Sequence, residues 1–205
     1  SGFAVWAGRL ALHPTNHKIM IAGGYFRYDQ ANWKAATAVA KTTDGGAHWT
    51  VKQLGQNTEW GYTRDVAFAK SNPGYVYVCG YDYDGGYFHP AAFASKNGGS
   101  TWAKVSGSAA FQNATACYSL HVDPRDPKKA WVGHSGGIGR TANAGASWQA
   151  QADNRIDYVS ALAADAANPN ILYGGGRYKA EYASLKSTDG GATWTAVTKG
   201  VYGEP

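Results

Sequence analysis

Charge is scarce in this chain of 205 residues: Asp, Glu, Lys and Arg make up 16% of it, against roughly 25% in an average globular domain. The net charge of +5 is scattered, and Lys128-Lys129 is the single Lys/Arg pair. The basic stripe of a nucleic-acid-binding face is missing, so no nucleic acid partner is expected. No apolar run approaches the ~20 residues that span a bilayer, which leaves no transmembrane segment, and no cleavable leader is visible at Ser1. The six histidines are dispersed without HExxH or comparable ligand spacing, so no metal site is expected. Neither a GxSxG elbow nor a phosphate-cradling glycine loop is present, and Gly133-His134-Ser135-Gly136-Gly137 reads as a turn. No cofactor is therefore expected. Glutamate is confined to Glu59, Glu181 and Glu204, and cysteine to Cys79 and Cys117.

Glycine, tyrosine and tryptophan are plentiful instead, at 27, 14 and 8 residues, a composition of short strands and many turns. Low charge with many Tyr, Trp, Gly, Asn and Thr suits a β-protein of the extracellular space or cell surface, which is the localisation expected here. The abundance is ordered. Thr42-Thr43-Asp44-Gly45-Gly46-Ala47-His48-Trp49 recurs as Ser95 to Trp102, Thr141 to Trp148 and Ser187 to Trp194. The closing tryptophans lie 46 to 53 residues apart, the period of β-propeller blades. A second landmark recurs in the same order: an apolar strand, a Pro/Asn turn, and a second apolar strand ending in glycine. Its copies run Leu10 to Gly24, Val66 to Gly80, Leu120 to Gly133 and Leu162 to Gly175.

The eight-residue box fits a tight turn between two strands. Its glycines accept φ > 0 at low steric cost. The Asp or Asn side chain accepts hydrogen bonds from nearby backbone N–H groups, and the leading hydroxyl closes the same turn. The tryptophan then buries a large apolar face between neighbouring sheets. Asp44, Asn97, Asn143 and Asp189, with Trp49, Trp102, Trp148 and Trp194, are accordingly read as structural.

The pattern S/T-x-D/N-x-G-x-T/S-W resembles the Asp-box, or bacterial neuraminidase repeat. Thr42/Asp44/Gly46/Trp49 and Ser187/Asp189/Gly191/Thr193/Trp194 match it best, and the likeness extends over the whole chain at one box per period. Similar boxes mark sialidases, xyloglucanase-type glycosidases, sortilin-type receptors and a photosystem assembly factor. The resemblance implies an all-β propeller of four-stranded antiparallel blades, with the boxes on the rim away from the active face. The expected blades are about 3–52, 60–105, 115–151 and 157–198 of a single domain, 1–205. These four could be a complete ring, an arc of a larger one, or half of a ring completed by another copy. A sialidase implies an arginine cluster and an Arg-Ile-Pro segment, from which Arg155-Ile156-Asp157 departs at the proline.

Function is expected at the other end, where second strands join third strands and blade joins blade. First strands are expected to begin near Asp65 in the second repeat, and second strands to end near Gly23, Cys79 and Gly174. The segments beyond read as long loops rich in rings and charge, held on a rigid scaffold where recognition is usual. Trp33, Trp60, Tyr83, Tyr158 and Tyr178 are the expected platforms, with Arg64 and Asp157 as polar readers and Arg155 among the ligand-binding residues. Flat rings next to Asp, Arg and Asn suit carbohydrate, so a carbohydrate or protein ligand is expected. A glycosidase needs two carboxylates about 5 to 9.5 Å apart, and Asp65 and Asp157, near the starts of first strands, are the candidates. A third reading is an assembly protein whose repeats pack on further copies. Tyr81-Asp82-Tyr83-Asp84-Gly85-Gly86 resembles the opening of a calcium loop but lacks its distant glutamate, and reads as a polar turn. Cys79 and Cys117 fall on one face of adjacent blades, leaving open a disulfide or two free thiols.

Overall fold

The computed structural model describes residues 5–29, 31, 34–55, 59–151 and 153–197. These form four antiparallel sheets, one per repeat. Blade 1 comprises β1 (Val5–Leu12), β2 (Met20–Asp29), β4 (Ala38–Thr42) and β5 (Thr50–Gln53), with the short β3 (Lys34–Ala36) also paired to β2. Blade 2 is β6 (Trp60–Phe68), β7 (Val76–Asp84), β8 (Tyr87–Ser95) and β9 (Ala103–Lys104). Blade 3 is β10 (Cys117–Val122), β11 (Ala130–His134), β12 (Gly137–Thr141) and β13 (Gln149–Ala150); blade 4 is β14 (Ile156–Ala164), β15 (Leu172–Tyr178), β16 (Glu181–Ser187) and β17 (Thr195–Val197). A single 3₁₀ turn at Ala109–Phe111 is the one helical piece among the described residues. No helix among them is long and apolar enough to cross a membrane.

The boxes fold alike in all four blades. The hydroxyl of Thr42, Ser95, Thr141 or Ser187 accepts the N–H of the glycine four residues on and donates to the Oδ1 of Asp44, Asn97, Asn143 or Asp189. That oxygen in turn accepts the N–H of His48, Thr101, Ser147 or Thr193. The fourth box position also donates its N–H to the turn between first and second strands, as Gly45 does to Lys18 at 2.9 Å and Gly98 to Gly74 at 2.7 Å. Both turns therefore lie at one end of every blade, and the hairpins joining second to third strands lie at the other.

The carboxylate boxes carry a pH signature. The His48 N–H, then the Thr42 hydroxyl and the His48 ring, hold the Asp44 carboxyl well below its ordinary range. Burial pushes Asp189 up, but hydrogen bonds from Thr193, Ser187 and Ala192 outweigh it and bring it to about 2. A depressed carboxylate stabilises the fold above its unfolded pKa of about 3.9, and that contribution is lost as pH falls through the folded value. The amides of Asn97 and Asn143 keep the same turn and add an Nδ2 donation to Thr101 or Ser147. The double variant Asp44→Asn/Asp189→Asn should therefore lose less stability between about pH 4 and about pH 2 than the parent. Urea midpoints across that range, parallel in the two proteins, would refute the assignment.

The core lies between blades rather than within them. Ala11, Ile21 and Val39 of blade 1 pack with Val66, Phe68 and Val76 of blade 2. Tyr77 and Cys79 meet Leu120, Val132 and Trp148 across the next interface, and Trp131 and Ile138 meet Val159, Leu172 and Trp194 across the third. Trp148 and Trp194 are buried and Trp102 is partly buried, whereas Trp49 is exposed. Strand packing runs from blade 1 to 2, 2 to 3 and 3 to 4, and the described strands of blades 4 and 1 do not pack face to face. The blades form an open arc. Cys79 and Cys117 face each other across the second interface as free buried thiols, not a disulfide, and burial pushes both thiols up from their usual range.

Candidate functional site

At the hairpin end the structure corrects the sequence reading. Segments expected as loops are strands. β2 runs on to Asp29, β7 to Asp84 and β15 to Tyr178, while β6 starts five residues earlier than expected, at Trp60. Cross-strand pairs explain the extension: Tyr62 opposes Tyr81, Trp60 opposes Tyr83 and Tyr83 opposes Phe88, and facing aromatic pairs stabilise antiparallel ladders. Gly85 and Gly86, both at positive φ, close the blade 2 hairpin. The segment likened to a calcium loop is thus a hairpin tip, and the described residues contain no cluster of ligands for a metal. Asp82 within it is buried, its Oδ1 accepting the N–H and hydroxyl of Thr37 at 3.1 and 2.7 Å, which ties blade 2 to blade 1.

Each first strand carries a β-bulge at the same place. The register shifts at Gly8, Arg64, Tyr118 and Ser160, two residues before the Leu or Val that marks each repeat. A bulge re-aims its side chain out of the ladder. Here it brings Arg64 of blade 2 beside Tyr118 of blade 3. The Arg64 guanidinium lies 5.5 Å from the ring centroid of Tyr62, 5.4 Å from Tyr81 and 5.6 Å from Tyr118. Tyr62 and Tyr81 stack at 6.2 Å, and Phe88 packs on Tyr81 and Tyr83 at 5.4 and 4.9 Å.

Blade 4 continues the run. Tyr118 meets Tyr158 at 5.0 Å, and Arg177 lies over Tyr158 at 5.6 Å with its Nε 3.4 Å from Asp157. A second bulge in β14 falls at Asp157. Arg155 lies 4.8 Å over Tyr178 and is clamped by Asp153 at 2.7 Å, which raises the arginine and lowers the aspartate from their usual values. At the other end Tyr25 of blade 1 sits 6.5 Å from Trp60. Trp60, Tyr87, Phe88 and Tyr182 remain exposed. Burial, then the neighbouring Tyr158, raises the Tyr118 phenol, outweighing the opposite pull of Arg64, so it stays neutral and free to donate.

Of the residues singled out in the sequence, Trp60, Arg64, Tyr83, Arg155, Tyr158 and Tyr178 thus share one end of the arc, and Trp33 lies outside the described residues. Tyr62, Tyr81, Tyr118 and Arg177 complete the array. Tyr118 was hidden because it sits inside an apolar strand, although aligning the repeats places it at the position that Arg64 holds in blade 2. His134, expected in a turn, is buried at the end of β11 against Phe111, and burial lowers it to about 4. The candidate carboxylates have different partners. Asp65 accepts the N–H groups of Val66 and Leu120, both at 2.9 Å, which latches blade 2 to blade 3; burial still raises its carboxyl. Asp157 belongs to β14, two blades away, with β10 packed between β6 and β14.

No protein-family model matches the chain, and no curated protein matches it. Solved structures do. An ancestral GH74 enzyme superposes with a TM-score of 0.69 at 19% identity, covering 96% of this chain and 26% of that one. A Hadza microbial sialidase gives 0.60 at 14%, covering 90% and 43%. The GH74 xyloglucanase from Xanthomonas campestris gives 0.55 at 15%, covering 94% and 38%. The chain therefore spans less than half the length of each of these proteins. Four consecutive antiparallel blades with their cores between the sheets, matched over nearly the whole chain, make this a β-propeller fold.

Proposed function

We propose that the chain belongs to an Asp-box β-propeller, secreted or displayed on a cell surface, that recognises carbohydrate through the hairpin end of its blades. The observation that carries this reading is the run of rings and guanidinium groups from Trp60 through Arg64, Tyr118 and Tyr158 to Arg177, spanning three blades. Rings on rigid strands stack on the apolar C–H faces of a sugar with little loss of side-chain freedom. Arg64 has no ion-pair partner among the described residues, which leaves its donors for ligand oxygens. Binding without turnover is favoured over hydrolysis because Asp65 is occupied by backbone donors and Asp157 by Arg177.

A glycan array followed by calorimetry on the retained oligosaccharide tests the reading. Trp60→Ala and Arg64→Ala should each weaken binding by tenfold or more, about 1.4 kcal/mol, with the unfolding midpoint little changed because both side chains are exposed. Retention of no glycan, or unaltered affinity in both variants, would reject carbohydrate as the ligand. Reducing-sugar release abolished by Asp157→Asn would instead restore the hydrolase reading.

A further inference from the structure

Neighbouring blades share a polar tie whose donor changes along the chain, and the change leaves one cation without a structural duty. The residue just before the box hydroxyl is basic in three repeats: Lys41, Arg140 and Lys186. Lys41 pairs with Ile21 across the strands of blade 1, and its ammonium donates to the Gly98 carbonyl of blade 2 at 2.7 Å. Arg140 holds the same place in blade 3, paired with Trp131. There the Trp131 indole N–H makes the tie instead, donating to the Gly190 carbonyl of blade 4 at 3.0 Å. The half-buried Arg140 side chain consequently has neither a hydrogen bond nor an ion pair among the described residues.

Arg140 opens on a cleft. A cavity of about 420 Å³ lies between blades 3 and 4 at their box end, with Asp123, Trp131, Arg140, Gln149, Asn170 and Asp189 in its wall. That volume falls within the roughly 300–1,000 Å³ of small-molecule sites. Both Asp189 oxygens are taken by its own box. The Oδ1 of Asp123 accepts the N–H groups of Arg125 and Asp126 at 2.8 and 3.3 Å. Its Oδ2 and the side-chain amides of Gln149 and Asn170 have no partner among the described residues.

These uncommitted groups define a ligand. A guanidinium is a planar fork that matches the two oxygens of a carboxylate. The negative charges of Asp123 and Asp189 already offset those of Arg140 and Lys129 around the cleft, so one added negative charge is accommodated better than two. Amides and a carboxylate oxygen suit hydroxyl groups, which both donate and accept. We propose that the cleft is a second binding site, at the opposite end of the blades from the aromatic run, for a small polyhydroxylated carboxylate of the sugar-acid class. Arg140 takes the carboxylate, while Gln149, Asn170 and Asp123 take the hydroxyls. The site lies at an interface inside the chain and stands independently of what the hairpin end binds.

Calorimetric titration of the 205-residue chain with glucuronate tests the assignment, with glucose, acetate and inorganic phosphate as comparisons. Glucuronate should bind at millimolar concentration or below, and each comparison at least about tenfold more weakly, equivalent to about 1.4 kcal/mol. Glucose lacks the carboxylate, acetate the hydroxyls, and phosphate both. Arg140→Gln removes the fork from blade 3, and Asn170→Ala removes an amide from blade 4. Each should weaken glucuronate binding while leaving the urea midpoint and circular dichroism unchanged, because neither side chain holds another part of the fold. No glucuronate binding at millimolar concentration would overturn the proposal, as would equal affinity for any comparison compound. So would unaltered affinity in Arg140→Gln, or binding that survives Arg140→Gln and is lost in Arg64→Ala, which would move the carboxylate to the hairpin end.

Discussion

Replacing Trp148 by alanine should lower the unfolding free energy by about 3–5 kcal/mol, the range for removing a large buried aromatic side chain, whereas Trp49→Ala should cost less than about 1 kcal/mol. The two tryptophans occupy the same position of the same turn. They differ in what lies opposite. Trp148 packs between blades 2 and 3 among Tyr77, Leu120 and Phe111, its ring 5.5 Å from that of Phe111. Trp49 closes its turn with an indole N–H donated to the Gly46 carbonyl at 3.0 Å but is exposed. If the tryptophan served mainly to shape its own turn, the two variants would lose comparable stability. Urea denaturation followed by far-ultraviolet circular dichroism measures both, at a protein concentration low enough to hold each variant monomeric.

That contrast also marks how far the sequence could be read. The period, the strand count and the box geometry were legible because each rests on local chemistry: glycines at positive φ, a hydroxyl and a carboxylate or amide two residues apart, an aromatic residue on a fixed beat. The identical hydrogen bonds of Thr42 and Ser187, so far apart in the chain, follow from that alone. Exposure of Trp49 was not legible, because it depends on a neighbour that no residue near Trp49 encodes. The candidate site was half visible. Trp60, Arg64 and Tyr158 stand out as rings and charge, but their grouping depends on strand register. Tyr-Asp-Tyr-Asp looks like a loop by composition and becomes a strand only once Tyr87-Phe88-His89 lies opposite it. The surroundings of Asp65 were not legible for a related reason. The residue lies inside β6 rather than at its start, and the N–H of Leu120 that occupies it comes from another blade.

The glycines opposite the bulges are where architecture and candidate site meet, and Gly80→Ala is the substitution expected to disturb both. A Cβ at Gly80 would lie 1.9 Å from the Tyr62 carbonyl oxygen, and one at Gly176 would lie 2.0 Å from that of Tyr158. The obstacle is backbone in each case, so a rotamer change cannot relieve it. Blade 3 places His134 at the corresponding position and tolerates it because β10 stops there, at the pair Cys117–His134. In blade 2 the ladder continues through Tyr62, Gly61 and Trp60, so the strand cannot splay. Gly80→Ala should therefore cost about 3 kcal/mol, the upper end for overpacking, and should weaken ligand binding by shifting Tyr62 and Arg64. Gly107→Ala is the comparison: its Cβ would meet nothing within 4 Å and its φ is ordinary, so its effect should stay within about 0.5 kcal/mol. Close approach at the bulge is the reason the second strand carries glycine there, and equal urea midpoints for the two variants would remove that reason.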